Sequence, residues 1–211
     1  MPVRYEYWVY ETAAWTEVYG NDWHGQTFTP GVAHRIVKVR LRIARAGIPT
    51  NAEVVIKATD EEGKPTGADL ATGTINVLSL PVDLVPAPWT YISLSTSPSL
   101  SALTKYAIIV RCLGNVDNKI YWNEGGPGYP GGQAIVSLDG GASWLFNPFD
   151  FNFEEWGNHW YHLNVKGVNL PYEDLDKTKE LHIILKNLSP TTKSKGADGA
   201  VKVKIDYEPA A

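Results

Sequence analysis

The sequence predicts an all-β protein, an antiparallel β-sandwich of jelly-roll-like form with a C-terminal β-extension. Three observations carry this. Apolar and polar residues alternate along many short segments, the period of a strand with one wet face. Helical periodicity is almost absent. Clusters of Gly, Pro and Asp separate the segments at short intervals, the punctuation of sandwiches rather than of βαβ units.

Each element follows from its residues. Val37, Val39, Leu41 and Ile43 alternate with Lys38, Arg40 and Arg42. This is a half-buried strand whose cations form a solvated sheet face. Residues 52–59 form the next strand. The turn composition of residues 60–67 then leads into a strand over residues 70–77. Pro81, Pro86 and Pro88 exclude central sheet and mark a loop. Strands follow over residues 89–94, 105–113, 119–123 and 133–138, with a Ser/Pro-rich link at 95–103. Phe149, Phe151 and Phe153 alternate with Asp150, Asn152 and Glu154, which predicts a strand with three rings in the core and Glu154 facing water.

At 211 residues the chain can bury a substantial core. Its net charge of -4 argues against a duplex-binding surface, so no nucleic-acid partner is expected. The single cysteine, Cys112, excludes an intramolecular disulfide and sits in an apolar run, where a buried, inert thiol is expected. The first residues hold no apolar signal segment, and no run approaches membrane-spanning length. The expectation is a protein without an export signal and without membrane insertion. Eight Trp and eleven Tyr exceed what a core of this size requires, leaving candidates for sugar stacking or protein interfaces.

Several segments resemble one family. Gln26-Thr27-Phe28-Thr29-Pro30 is similar to the opening strand of the extracellular β-sandwiches called choice-of-anchor domains. Asp60, Gly63, Pro65 and Gly67, followed by Leu70-Ala71-Thr72-Gly73, resemble their hairpin. Lys105-Tyr106-Ala107-Ile108-Ile109-Val110 resembles an inner strand. Gly131-Gly132 with the segment from Ser137 to Trp144 resembles their Gly-Gly and Asp-Gly-Gly stretch, and Phe153-Glu154-Glu155-Trp156 their closing strand. The resemblance spans roughly residues 20–157. It implies a sandwich akin to carbohydrate-binding jelly rolls, of the kind found in secreted, cell-surface and phage-like proteins. It implies no catalytic residue. The absent export signal and the extra C-terminal strands depart from the pattern and favour a particle component over a cell-anchored adhesin.

Enzymatic chemistry finds little support in the residues. Glu154 and Glu155 are neighbours on a strand and point to opposite faces, so they cannot flank one glycosidic bond. His24, His34, His159, His162 and His182 lack zinc spacing. No nucleophile elbow and no phosphate-binding loop is present. No cofactor is expected. Asp139, before Gly140 and Gly141, is a weak Ca²⁺ candidate, but one carboxylate cannot supply six to eight oxygens, and an Asp-Gly turn is the simpler reading. Trp122, Tyr129 and Trp144 stand on or beside the Gly/Pro-rich loop cluster. Exposed together, they form a candidate stacking platform for sugar rings; buried, they plug the end of the sandwich. Trp8, Trp15 and Trp23 could pin the N-terminal arm to a partner subunit or to the core, and the core is the favoured expectation.

The sandwich, with its N-terminal arm, is assigned to residues 1–157 and the β-extension to residues 158–211. Strands are expected over residues 160–166, 181–188 and 200–207, with a short helical turn around 172–177. Val201, Val203, Ile205 and Tyr207 form the candidate interface face. Three strands make a poor core alone and expose edges that must be covered, so they are expected to pack on the sandwich or on a neighbouring subunit, and a homo-oligomer is expected. The functional expectation is a non-catalytic virion-surface protein, a capsid decoration or tail component, with capsid proteins or surface glycans as partners. The alternative is a carbohydrate-binding module of an extracellular or cell-surface protein.

Overall fold

The computed structural model describes residues 2–159, apart from positions 11, 83 and 85–87. The chain divides into two compact units, Met1–His159 and Trp160–Ala211. The second unit, and with it Val201, Val203, Ile205, Tyr207 and the strands and turn expected beyond residue 159, lies outside the described residues.

Two antiparallel sheets pack face to face as a β-sandwich, and no α-helix occurs among the described residues. The strands are β1 (Val3–Trp8), β2 (Trp15–Val18), β3 (Trp23–Phe28), β4 (His34–Ala46), β5 (Thr50–Thr59), β6 (Pro65–Thr74), β7 (Trp89–Ser93), β8 (Ser99–Leu100), β9 (Tyr106–Leu113), β10 (Lys119–Asn123), β11 (Ala134–Ser137), β12 (Leu145–Phe146) and β13 (Phe153–His159). The first sheet runs β1-β13-β4-β10-β2, with β7 and β8 on the other side of β4. The second runs β12-β11-β3-β9-β5-β6.

Strand β4 organises the first sheet because it is long enough to pair along both edges. Its first part pairs with β13 and its last part with β10, while β7 and β8 take the opposite edge. Val39, Leu41 and Ile43 point inward as the alternation requires. Val37 does not join them. It is the extra residue opposite the Trp156/Gly157 step of β13, a β-bulge, and it hands the inward position to Ile36. The core between the sheets adds Phe28, Val54, Ile56, Ile108, Val110, Ile120, Trp122, Phe151 and Phe153.

The apolar run of β9 is buried on both faces. A second, smaller cluster covers the outer face of the second sheet, formed by Val55, Ala107, Ile109, Ile135 and Trp144, with Trp23 packed beside it. Cys112 is buried as expected; burial pushes its thiol pKa up, and its Sγ–H donates to the Val18 carbonyl at 3.1 Å.

The segment 149–154 differs from its expectation. Phe151 and Phe153 are in the core and Phe149 packs at its margin, but the regular strand begins only at Phe153. The polar residues of the alternation are buried too. Asp150 accepts the Gly128 and Tyr129 N–H groups and the Gln26 amide, each at 2.9 Å. Asn152 bonds the backbone of Tyr10 in both directions, at 2.8 and 2.9 Å. These bonds tie the N-terminal segment and the Gly/Pro loop to one end of the sandwich, and buried amides and carboxylates of this kind are tolerated because they are satisfied.

Candidate functional site

Of the two readings left open for the loop aromatics, platform or plug, the structure has the buried one, enclosing all three residues. Trp122 has no exposed surface; its ring stacks on Phe151 at 4.3 Å and its Nε1–H donates to the Asn152 carbonyl at 2.9 Å. Tyr129 packs edge-on against Phe153 at 5.2 Å and donates its hydroxyl to Glu6 Oε2 at 3.1 Å. Trp144 folds back over the second sheet. The loop that delivers it is shaped by glycine: Gly141 has φ of +91°, and a Cβ there would lie 2.7 Å from the Trp23 ring.

Asp139 organises that same loop. Oδ1 accepts the Ser137 hydroxyl at 2.7 Å and the Ser143 N–H at 2.9 Å, and Oδ2 accepts the Ser143 hydroxyl at 2.6 Å. These bonds, those of Ser143 foremost, hold its carboxyl down at about 2. Both oxygens thus act within the turn. Among the described residues no group of three or more His, Cys, Asp or Glu is placed to hold a metal ion.

A group of exposed and partly exposed aromatics lies on the outer face of the first sheet, while Tyr10 and Phe146 are exposed elsewhere. Register builds the site. Tyr7 of β1, Glu154 of β13, Arg40 of β4 and Tyr91 of β7 stand opposite one another across four strands. The next row holds Arg4, Trp156, Lys38 and Ser93. Trp89 lies opposite Arg42 in the row beyond. Residues in register share a face, and strands ~4.8 Å apart spread each row over roughly 14 Å. Tyr7 and Tyr91 are about half exposed, at 47% and 51%, and Trp89 and Trp156 are partly exposed.

Cations interleave with these rings. The Lys38 ammonium lies 4.4 Å from the Tyr91 ring centre and 5.0 Å from that of Trp156. The Arg40 guanidinium lies 4.9 Å from Tyr91 and 5.2 Å from Trp89, and that of Arg4 lies 3.8 Å from Tyr7. Such contacts align long side chains that would otherwise sample many rotamers. Glu154 anchors the array. Its Oε1 accepts Arg4 at 3.0 Å; its Oε2 accepts Arg40 at 3.2 Å and the Trp156 indole at 3.0 Å. Glu154 therefore does not face water. It points away from the core, as alternation required, but the side chains of this face cover it to 3% exposure.

Glu155 points the opposite way, into the core, and pairs with His34. His34 Nε2 lies 2.8 Å from Glu155 Oε1, Nδ1 lies 2.9 Å from the Val32 carbonyl, and the ring stacks on Tyr5 at 3.7 Å. A carbonyl only accepts, so Nδ1 carries a hydrogen, and the Nε2–Glu155 contact then needs one further proton. Burial pulls the His34 pKa down, but the bond and charge of Glu155 outweigh it and the net shift is upward. Burial raises that of Glu155 more than His34 lowers it. Both values lie above their unfolded references, so the native state binds more protons and stability falls as pH rises. Folding stability is expected to decline from pH 5 to pH 9, by up to ~1.4 kcal/mol per pH unit for one proton, and the melting temperature to fall with it. Glu155→Gln keeps a hydrogen bond to a neutral ring and is expected to flatten that decline. A profile that rises over this range contradicts the assignment.

No protein-family model matches the chain, and no curated protein matches it significantly. The reading of the site rests on its own geometry.

Proposed function

We propose that this protein is a non-catalytic recognition module that binds glycan through the outer face of its first sheet. The observation that carries the reading is the group of partly exposed rings, Tyr7 on β1, Trp156 on β13 and Trp89 and Tyr91 on β7, flanking the cations of β4 on one sheet face. The C–H face of a pyranose is apolar and packs on an aromatic ring, while its hydroxyls bond to flanking polar groups. Rings held on a sheet, steadied by cations and by Glu154, lose little freedom on binding. A hydroxyl-rich cleft of about 340 Å³ adjoins Tyr91, lined by Thr72, Thr74, Ser79, Thr90, Ser93 and Ser95. It offers the donors and acceptors such a ligand needs.

The non-enzymatic part of the reading is supported by the two carboxylates of β13, which serve other ends: Glu154 is neutralised by two arginines and Glu155 is in the core with His34. The resemblance to choice-of-anchor domains agrees with a surface recognition role, on a virion or on an extracellular protein. The test is a glycan array, together with pull-down on insoluble polysaccharides, using the full chain. Binding that is lost in Tyr91→Ala supports the reading. Absence of binding across neutral and acidic glycans overturns it.

A further inference from the structure

We infer that the sheet-face site selects acidic glycans, those carrying uronate carboxylates or sulfate esters; this rests on the glycan-binding reading above. Three cations, Arg4, Lys38 and Arg40, share this face with one carboxylate, Glu154, which pairs with Arg4 and Arg40. The face keeps positive charge on a chain whose net charge is -4. Lys38 holds its ammonium between Tyr91 and Trp156 and makes no ion pair or hydrogen bond among the described residues. Arg40 gives only Nη1 to Glu154, and its Nε is buried without a hydrogen-bond partner among the described residues. Lys38 and Arg40 lie two residues apart on one strand, so their backbones are about 7 Å apart and both side chains project from the same face. There their heads lie 4.4 and 4.9 Å from the Tyr91 ring centre. A neutral sugar gains nothing from this surplus, whereas an anionic ring stacked on Tyr91 or Trp156 brings its charge to both. Charge complementarity selects among ligands more strongly than it raises affinity, so the inference concerns preference.

The experiment measures binding of the full chain to matched pairs: polygalacturonate and its methyl ester, heparin and desulfated heparin, hyaluronan and its carboxyl-reduced form. Polyglutamate serves as a charged polymer without sugar. In at least one pair the acidic member is expected to bind about tenfold tighter, with the preference shrinking as salt is raised. Lys38→Gln is expected to remove most of that preference without moving the melting temperature. Equal binding within every pair, or a preference that Lys38→Gln leaves intact, overturns the inference while leaving glycan recognition standing. Equal binding to polyglutamate overturns it as well, since charge alone then suffices. If no glycan of either kind binds, the underlying reading fails instead.

Discussion

Trp122→Ala is expected to cost roughly 3–5 kcal/mol of folding stability, the range for removing a large enclosed aromatic. The ring is fully buried, lies parallel to Phe151 and closes a hydrogen bond to the Asn152 carbonyl. Alanine removes the packing and the donor together. The vacated carbonyl belongs to the segment that also ties Tyr10 and Asn123 to this end of the sandwich, so the surroundings cannot collapse freely into the space. Domains of this kind hold about 5–15 kcal/mol in total, and the variant should show a large drop in denaturation midpoint. Phe151→Ala should cost a similar amount, with the pair non-additive because the two rings share one contact. A Trp122→Ala cost below about 1 kcal/mol would place the indole at the surface and restore the loop platform.

The second large effect concerns binding. Tyr91→Ala and Trp156→Ala are each expected to weaken glycan binding at least tenfold, about 1.4 kcal/mol or more. Neither ring belongs to the core between the sheets, so their removal should leave the melting temperature within a few degrees of wild type. Trp156→Phe is the informative companion. It keeps a ring for stacking and for Lys38 but removes the indole donor to Glu154, so it should retain most of the affinity. Full affinity in both alanine variants would remove the sheet face from consideration.

Much of the fold was legible because it is written in local pattern. The alternation of Val39, Leu41 and Ile43, and of Phe151 and Phe153, put each on the correct side of its strand. Val37 broke the pattern because a bulge depends on the register of β13 against β4, far apart in the chain. The proposed binding face was half legible. The stripe of Lys38, Arg40 and Arg42 read as a solvated surface, and Trp89 with Tyr91, and Trp156 two places beyond Glu154, carried the same two-residue spacing. What local pattern does not contain is the pairing that brings β7 and β13 to either side of β4. The placement of the loop aromatics stayed open for a related reason. A Trp after an Asp-Gly-Gly turn has the same local sequence whether its ring turns outward or returns over the sheet. At Trp144 that was decided by the uncovered apolar patch of Val55, Ala107, Ile109 and Ile135.

The central claim is that recognition occurs on the sheet face and not at the loops. Amide chemical-shift mapping of the isotope-labelled full chain, titrated with the tightest-binding glycan found on the array, tests it directly. The largest shifts are expected at Arg4, Tyr7, Lys38, Arg40, Trp89, Tyr91 and Trp156, with the indole N–H of Trp156 among them. Shifts concentrated at residues 125–132 and 139–144, with the sheet-face residues unmoved, would contradict it.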